Sequence, residues 1–192
     1  MNRHFQGAML IAVAALMTSA ANSETASRSQ PGAIPFDLGN PQVQKEARKL
    51  AEQPPVLPPS GNRVVEDRSG RKQAGKASVY SPALQGHRMA NGRRFDHAGH
   101  AAASKTLPLG TIAKVTNLKT GRTAVVTVQD RGPYVNGRTV DLTKATAEQI
   151  GLGTQEGTAP VVVAPVAVPQ PDGTVKVGSG ALPGPATALQ DN

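Results

Sequence analysis

Carboxylates and imidazoles are the groups in this chain that can move protons, and Asp130 is the most suggestively placed of them. It closes an alternating run, Thr123 to Gln129, and precedes Arg131-Gly132-Pro133. A carboxylate there can work as a general acid or base, cap the loop that follows, or pair with an arginine. Asp96 follows Phe95 in a turn-like stretch and is expected to organise that loop. Asp141 ends a strand-like run just before a helix and is expected to serve that helix electrostatically. His87, His97 and His100 lie between these motifs; the His-x-x-His pair has no evident further ligands, so no metal is expected. The chain contains no Cys, which excludes a thiolate nucleophile, thiolate metal ligands, disulfides and a lipid-modified cysteine. Neither G-x-x-x-x-G-K-S/T nor G-x-S-x-G occurs, and no cofactor is expected.

These residues need a scaffold, and the pattern around them is mostly β. Ala124, Val126 and Val128 alternate with Thr123, Thr127 and Gln129, the period of a half-buried strand. Thr111 to Asn117 is a second strand, joined to the first through a Leu118-Lys119-Thr120-Gly121 turn with Gly where positive φ is needed. Lys76 to Tyr80 and Ala159 to Val163 read as first and last strands. One helix is convincing: Thr143 stands at its start, Ile150 at its end, and Gly151 stops it. Many short strands with a single helix predict a small closed β-barrel over 75–165.

Outside that unit the texture changes. Asn2-Arg3-His4, the apolar run Ala8 to Met17 and the small residues Ser19 to Ser23 predict an export signal over 1–23, cut after Ala21 or Ser23. Residues 24–74 hold seven prolines with charges of both signs and are expected to be a mostly disordered linker; Val43, Ala47, Leu50 and Ala51 allow at most a transient helix. Residues 166–192, rich in Pro, Gly and Ala, are expected to be a disordered tail. Of the net charge of +8, six units belong to 75–165. The basic surface therefore lies on the folded unit and favours an anionic or mixed-charge partner. Export makes nucleic acid an improbable one.

Three stretches carry more specific information: Gly75-Lys76-Ala77-Ser78-Val79-Tyr80; Ala90-Asn91-Gly92-Arg93-Arg94-Phe95-Asp96 running on to Ser104-Lys105-Thr106-Leu107-Pro108-Leu109-Gly110-Thr111; and Gln129-Asp130-Arg131-Gly132-Pro133-Tyr134-Val135, followed by Gly137-Arg138-Thr139-Val140-Asp141-Leu142. In order and spacing they resemble the rare lipoprotein A (RlpA) family of bacterial lytic transglycosylases. The resemblance implies a six-stranded double-psi β-barrel, mainly β with one short helix. It also implies an activity on peptidoglycan glycan strands: cleavage of the bond between N-acetylmuramic acid and N-acetylglucosamine to leave a 1,6-anhydro end, in the periplasm, by a monomer without a cofactor. One carboxyl can serve both proton transfers of that reaction, and the resemblance assigns this to Asp130.

The family's other polar cleft positions, a Glu and a His, fall here on Arg93 and Ser104. Arg93 can pair with a substrate carboxylate, and Ser104 can hydrogen-bond a glycan hydroxyl but cannot replace a titrating imidazole. Tyr80 and Tyr134 are expected to stack on sugar rings or pack on the barrel rim, with Arg131 beside the substrate. The two replacements also support a rival expectation, a non-catalytic barrel that binds or remodels the wall.

Overall fold

The computed structural model describes residues 37–57, 65–153 and 155–182. The predicted export signal and the first part of the predicted linker lie outside the described residues, as do 58–64 and the last ten residues of the chain. Seven strands follow in chain order: β1 (Gln73–Val79), β2 (Ala101–Ser104), β3 (Ile112–Asn117), β4 (Thr123–Asp130), β5 (Arg138–Leu142), β6 (Thr158–Pro169) and β7 (Val175–Val177). They hydrogen-bond in the order β1-β5-β2-β4-β3-β6, and β6 returns antiparallel to β1, so six strands close on themselves. Closure leaves these strands no free edge, which a barrel this small needs for stability. Two pairs, β1/β5 and β2/β4, are parallel and the others antiparallel. These two parallel pairs within a closed six-stranded barrel are the double-psi arrangement.

The period-two reading of β4 holds: Ala124, Val126 and Val128 point inward and are buried. They meet Val115 of β3, Val140 and Leu142 of β5, and Val161 and Val163 of β6 in one core. The short helix α2 (Lys144–Gln149) closes one side through Ala147, with Ile150 and Leu152 just beyond it. Gly121 and Gly151 both have positive φ, as the turn and the helix stop require. Thr143 precedes α2 but does not cap it; its hydroxyl donates instead to the Gly99 carbonyl. β2 escaped the sequence reading because Ala101 to Ala103 are all buried, so it shows no alternation.

The flanks differ from expectation. A second helix, α1 (Pro41–Glu52), occupies the middle of the predicted linker. Asn40 accepts a hydrogen bond from the Gln42 N–H and Pro41 fills the first helical position. Its Val43 and Ala47 pack on Val166, Val177, Ala181 and Leu182. Strand β6 runs to Pro169 rather than Val163, and β7 pairs with its far end. Val166, next to Pro165, bulges opposite the Ile112/Ala113 step of β3, and strands tolerate proline at a bulge. The partners of α1 lie over a hundred residues downstream, so its stability depends on contacts no local pattern reveals. Together α1, the strap 65–71, β7 and the 3-10 turn Ser179–Ala181 form a collar at the β6 end of the barrel.

Candidate functional site

Asp130 ends β4 where the parallel β2/β4 pairing shifts register between Ala102 and Ala103. Its carboxylate accepts three hydrogen bonds: 2.9 Å from the Ala90 N–H, 2.9 Å from the Arg131 N–H and 3.2 Å from the Tyr80 hydroxyl. Two backbone donors and a phenol thus fix its orientation. Tyr80 is nearly buried and packs on Phe95, with ring centroids 4.4 Å apart. Burial, then the negative charge of Asp130 and its hydrogen bond, and the charge of Asp141 push the Tyr80 phenol above its ordinary range. Tyr80 therefore keeps its proton and acts as a donor.

A cleft of about 440 Å³ opens here, lined among others by Tyr80, Asp130, Arg131, Tyr134, Arg138 and Asp141. Tyr134 stands exposed at its edge, available to a ring-shaped ligand. Four of the six residues expected at a site thus gather: Asp130, Tyr80, Tyr134 and Arg131. The other two do not line this cleft. Arg93 is exposed on the loop between Asn91 and Arg94, its backbone N–H bonded to the Asn91 side chain 3.0 Å away. Ser104 is buried, its hydroxyl oxygen accepting from the Leu107 N–H at 3.1 Å in the turn after β2. The expected glycan contact of Ser104 gives way to this structural bond.

Arg131, expected beside the substrate, lines the cleft with its guanidinium already engaged by protein groups. Its guanidinium donates 2.7 Å to the Leu107 carbonyl and pairs with Glu66 of the strap. Among the described residues, no guanidinium pairs with Asp130 itself.

Sequence reading missed Arg138 and misassigned Asp141. Arg138 and Asp141 form an ion pair at 2.5 Å inside the cleft, and the Ser78 hydroxyl donates to the same carboxylate. Asp141 therefore belongs to the cleft rather than to the start of α2. Strand alternation sets positions three apart on opposite faces, so no sequence signal announced this pair. Asp96 does organise its loop, accepting from the Ala98 N–H at 3.1 Å. His97 stacks edge-on against Phe95 with centroids 4.7 Å apart, and His100 lies 3.4 Å from the Thr146 hydroxyl. A larger cavity, about 640 Å³, lies beside α1, lined by Gln44, Ile112, Val125 and Val166 among others, with Lys114 the charged residue in its wall.

Residues 72–163 match the family model described as lytic transglycolase, DPBB_1. Over those residues the chain is similar to that family, its strands have the double-psi arrangement, and the resemblance to RlpA read from the motifs holds. The endolytic peptidoglycan transglycosylase RlpA of Vibrio cholerae is 41% identical over 109 residues, 57% of this chain and 41% of that protein. The probable endolytic peptidoglycan transglycosylase RlpA of Synechocystis is 48% identical over 82 residues, 43% of this chain and 26% of that protein. The chain thus spans less than half the length of either relative. Among solved structures, an expansin of Clavibacter michiganensis superposes with a TM-score of 0.39 at 24% identity, over 50% of each chain.

Proposed function

We propose that this protein is an exported, periplasmic lytic transglycosylase that cuts peptidoglycan glycan strands internally and leaves 1,6-anhydro ends. The observation that carries this reading is the setting of Asp130: a carboxyl held by three donors and, among the described residues, free of any ion pair, facing a cleft edged by Tyr80 and Tyr134. In its acid form Asp130 gives a proton to the glycosidic oxygen as the bond to the muramyl anomeric carbon breaks. Its carboxylate then takes the proton of the muramyl C6 hydroxyl, which closes on that carbon. The proton count balances over the two steps, and the reaction asks for no water and no cofactor. Tyr80 holds the carboxyl in place, while the Arg138–Asp141 pair keeps a second carboxylate engaged nearby.

Mass spectrometry of peptide-free glycan after incubation with the protein tests this. Anhydromuramyl ends that disappear in Asp130→Asn are expected. Ordinary reducing ends would indicate a hydrolase instead, and unchanged product from the variant would remove Asp130 from the chemistry.

A second reading has its own support in Arg93 and Ser104. Neither is a carboxyl or an imidazole, and neither lines the Asp130 cleft. A non-catalytic wall-binding barrel would sediment with purified sacculi in a salt-sensitive way. That binding would survive Asp130→Asn and weaken in Arg93→Glu.

A further inference from the structure

Arg131 follows Asp130 directly in the chain, and both side chains line the same cleft. A guanidinium is built to clamp a carboxylate, and Asp130 is the neighbouring one. The guanidinium nevertheless spends its donors elsewhere, on Glu66 and on the Leu107 carbonyl. Glu66 is itself held. Its second carboxylate oxygen lies 2.5 Å from the Arg68 guanidinium, which also reaches the Pro169 carbonyl at the end of β6. One residue on, the Asp67 N–H donates 2.8 Å to the Thr106 carbonyl, and its carboxylate accepts from Ser69 and Gln73. The strap is thus pinned to the barrel through the two residues that follow Glu66.

We propose that Glu66 is a positioning residue for Asp130: its carboxylate draws the Arg131 guanidinium onto the strap and keeps it off the reacting carboxyl. Glu66 lies outside the family-matched segment 72–163, so this device belongs to the collar rather than to the barrel. For catalysis the inference rests on the transglycosylase reading, because a guanidinium against Asp130 would favour its ionised form and work against an acid. The geometric claim stands without that reading. The other charged and titratable groups on elements packed around Asp130 are Tyr80 just after β1, Arg138 and Asp141 on β5, Lys105 after β2, and His87, Arg88, Arg93 and Arg94 on the loop that donates through Ala90. Arg88 and Arg94 are occupied by the Gly92 and Gly86 carbonyls.

NMR titration of the Asp130 side-chain carboxyl carbon in the full chain tests the proposal. Glu66→Gln is expected to lower the midpoint by about one pH unit, the low end of what a guanidinium beside a carboxylate does. In an Arg131→Gln background the same substitution is expected to change nothing. An unchanged midpoint in Glu66→Gln would overturn the proposal. So would an equal drop in both backgrounds, since Glu66 would then act through its own field rather than through Arg131. Asp172, exposed on the β6–β7 turn, serves as the folding control and should titrate identically throughout. If Glu66→Gln does not fold, Glu66→Asp, one methylene shorter, supports the same comparison. Should the wild-type protein release no anhydro ends, the transglycosylase reading fails while the midpoint comparison still decides this one.

Discussion

The barrel and its collar are held by different kinds of contact. Inside the barrel, aliphatic side chains from all six strands meet in one core, and Leu142, Val161 and Ile150 have no measurable exposure. The collar has a small apolar patch, centred on Ala47, Val177 and Ala181, and otherwise depends on polar bonds and close backbone approach. Gly178 and Gly180 lie so near the Pro165 and Ala164 carbonyls that a Cβ on either would overlap the carbonyl oxygen. Arg68 and Arg71 of the strap, and Lys72 just after it, donate to the Pro169, Pro54 and Ala51 carbonyls. The collar is therefore expected to respond to pH and salt more than the apolar core of the barrel does.

Four measurements can break or sharpen this contrast. The largest effect is expected in the barrel: Leu142→Ala should lower unfolding stability by about 2–5 kcal/mol, read from denaturant midpoints, because the closed core cannot collapse around the void. A loss below about 1 kcal/mol would show the core to be looser than its burial implies.

Gly178→Ala should act next, at about 1–3 kcal/mol, because the obstructing atom is backbone and cannot rotate away. Its effect should be local. Hydrogen exchange is expected to accelerate in α1 and β7 while β3 and β4 stay protected, and uniform acceleration would merge the two regions into one cooperative unit.

The third effect is a pH effect. Burial pushes the Asp67 carboxyl up, but hydrogen bonds from Ser69 and Gln73 and the charge of Arg71 outweigh it and hold it below the usual range. A folded value below the unfolded one, about 3.9, stabilises the strap fully above that value. The contribution is lost as the pH falls through the folded value. Acid should therefore loosen the strap, and Asp67→Asn should remove this part of the acid sensitivity. Strap exchange rates that respond to acid identically in the variant would assign the sensitivity elsewhere.

The smallest effect is expected at the exposed Lys144–Glu148 pair on α2, 3.8 Å apart with both side chains largely in solvent. Lys144→Ala should cost at most about 0.5 kcal/mol, and less in high salt.

Much of the barrel was legible because its strands obey local rules. The alternation of Ala124, Val126 and Val128, the Gly121 turn and the Gly151 stop all express backbone geometry within a few residues. The motif order pointed to the double-psi barrel and to Asp130, and the structure sets Asp130 in a cleft with Tyr80 and Tyr134. The collar was not legible. Proline-rich, charged stretches read as solvated chain, and what orders them is an apolar patch and a set of carbonyls supplied from the opposite end of the sequence.

What the sequence determined by itself was the barrel's strand pattern and the one carboxylate worth testing, because periodicity and motif spacing are properties of neighbouring residues. Tertiary structure alone decided that Ser104 is buried in a turn, that Arg93 stays outside the Asp130 cleft, and that Asp141 joins Arg138 within it. It also decided that Arg131 turns to Glu66, 65 residues earlier in the chain. Side-chain partners of that kind are set by which strands and straps close on one another, and charge pairing over such distances leaves no periodic trace in the chain.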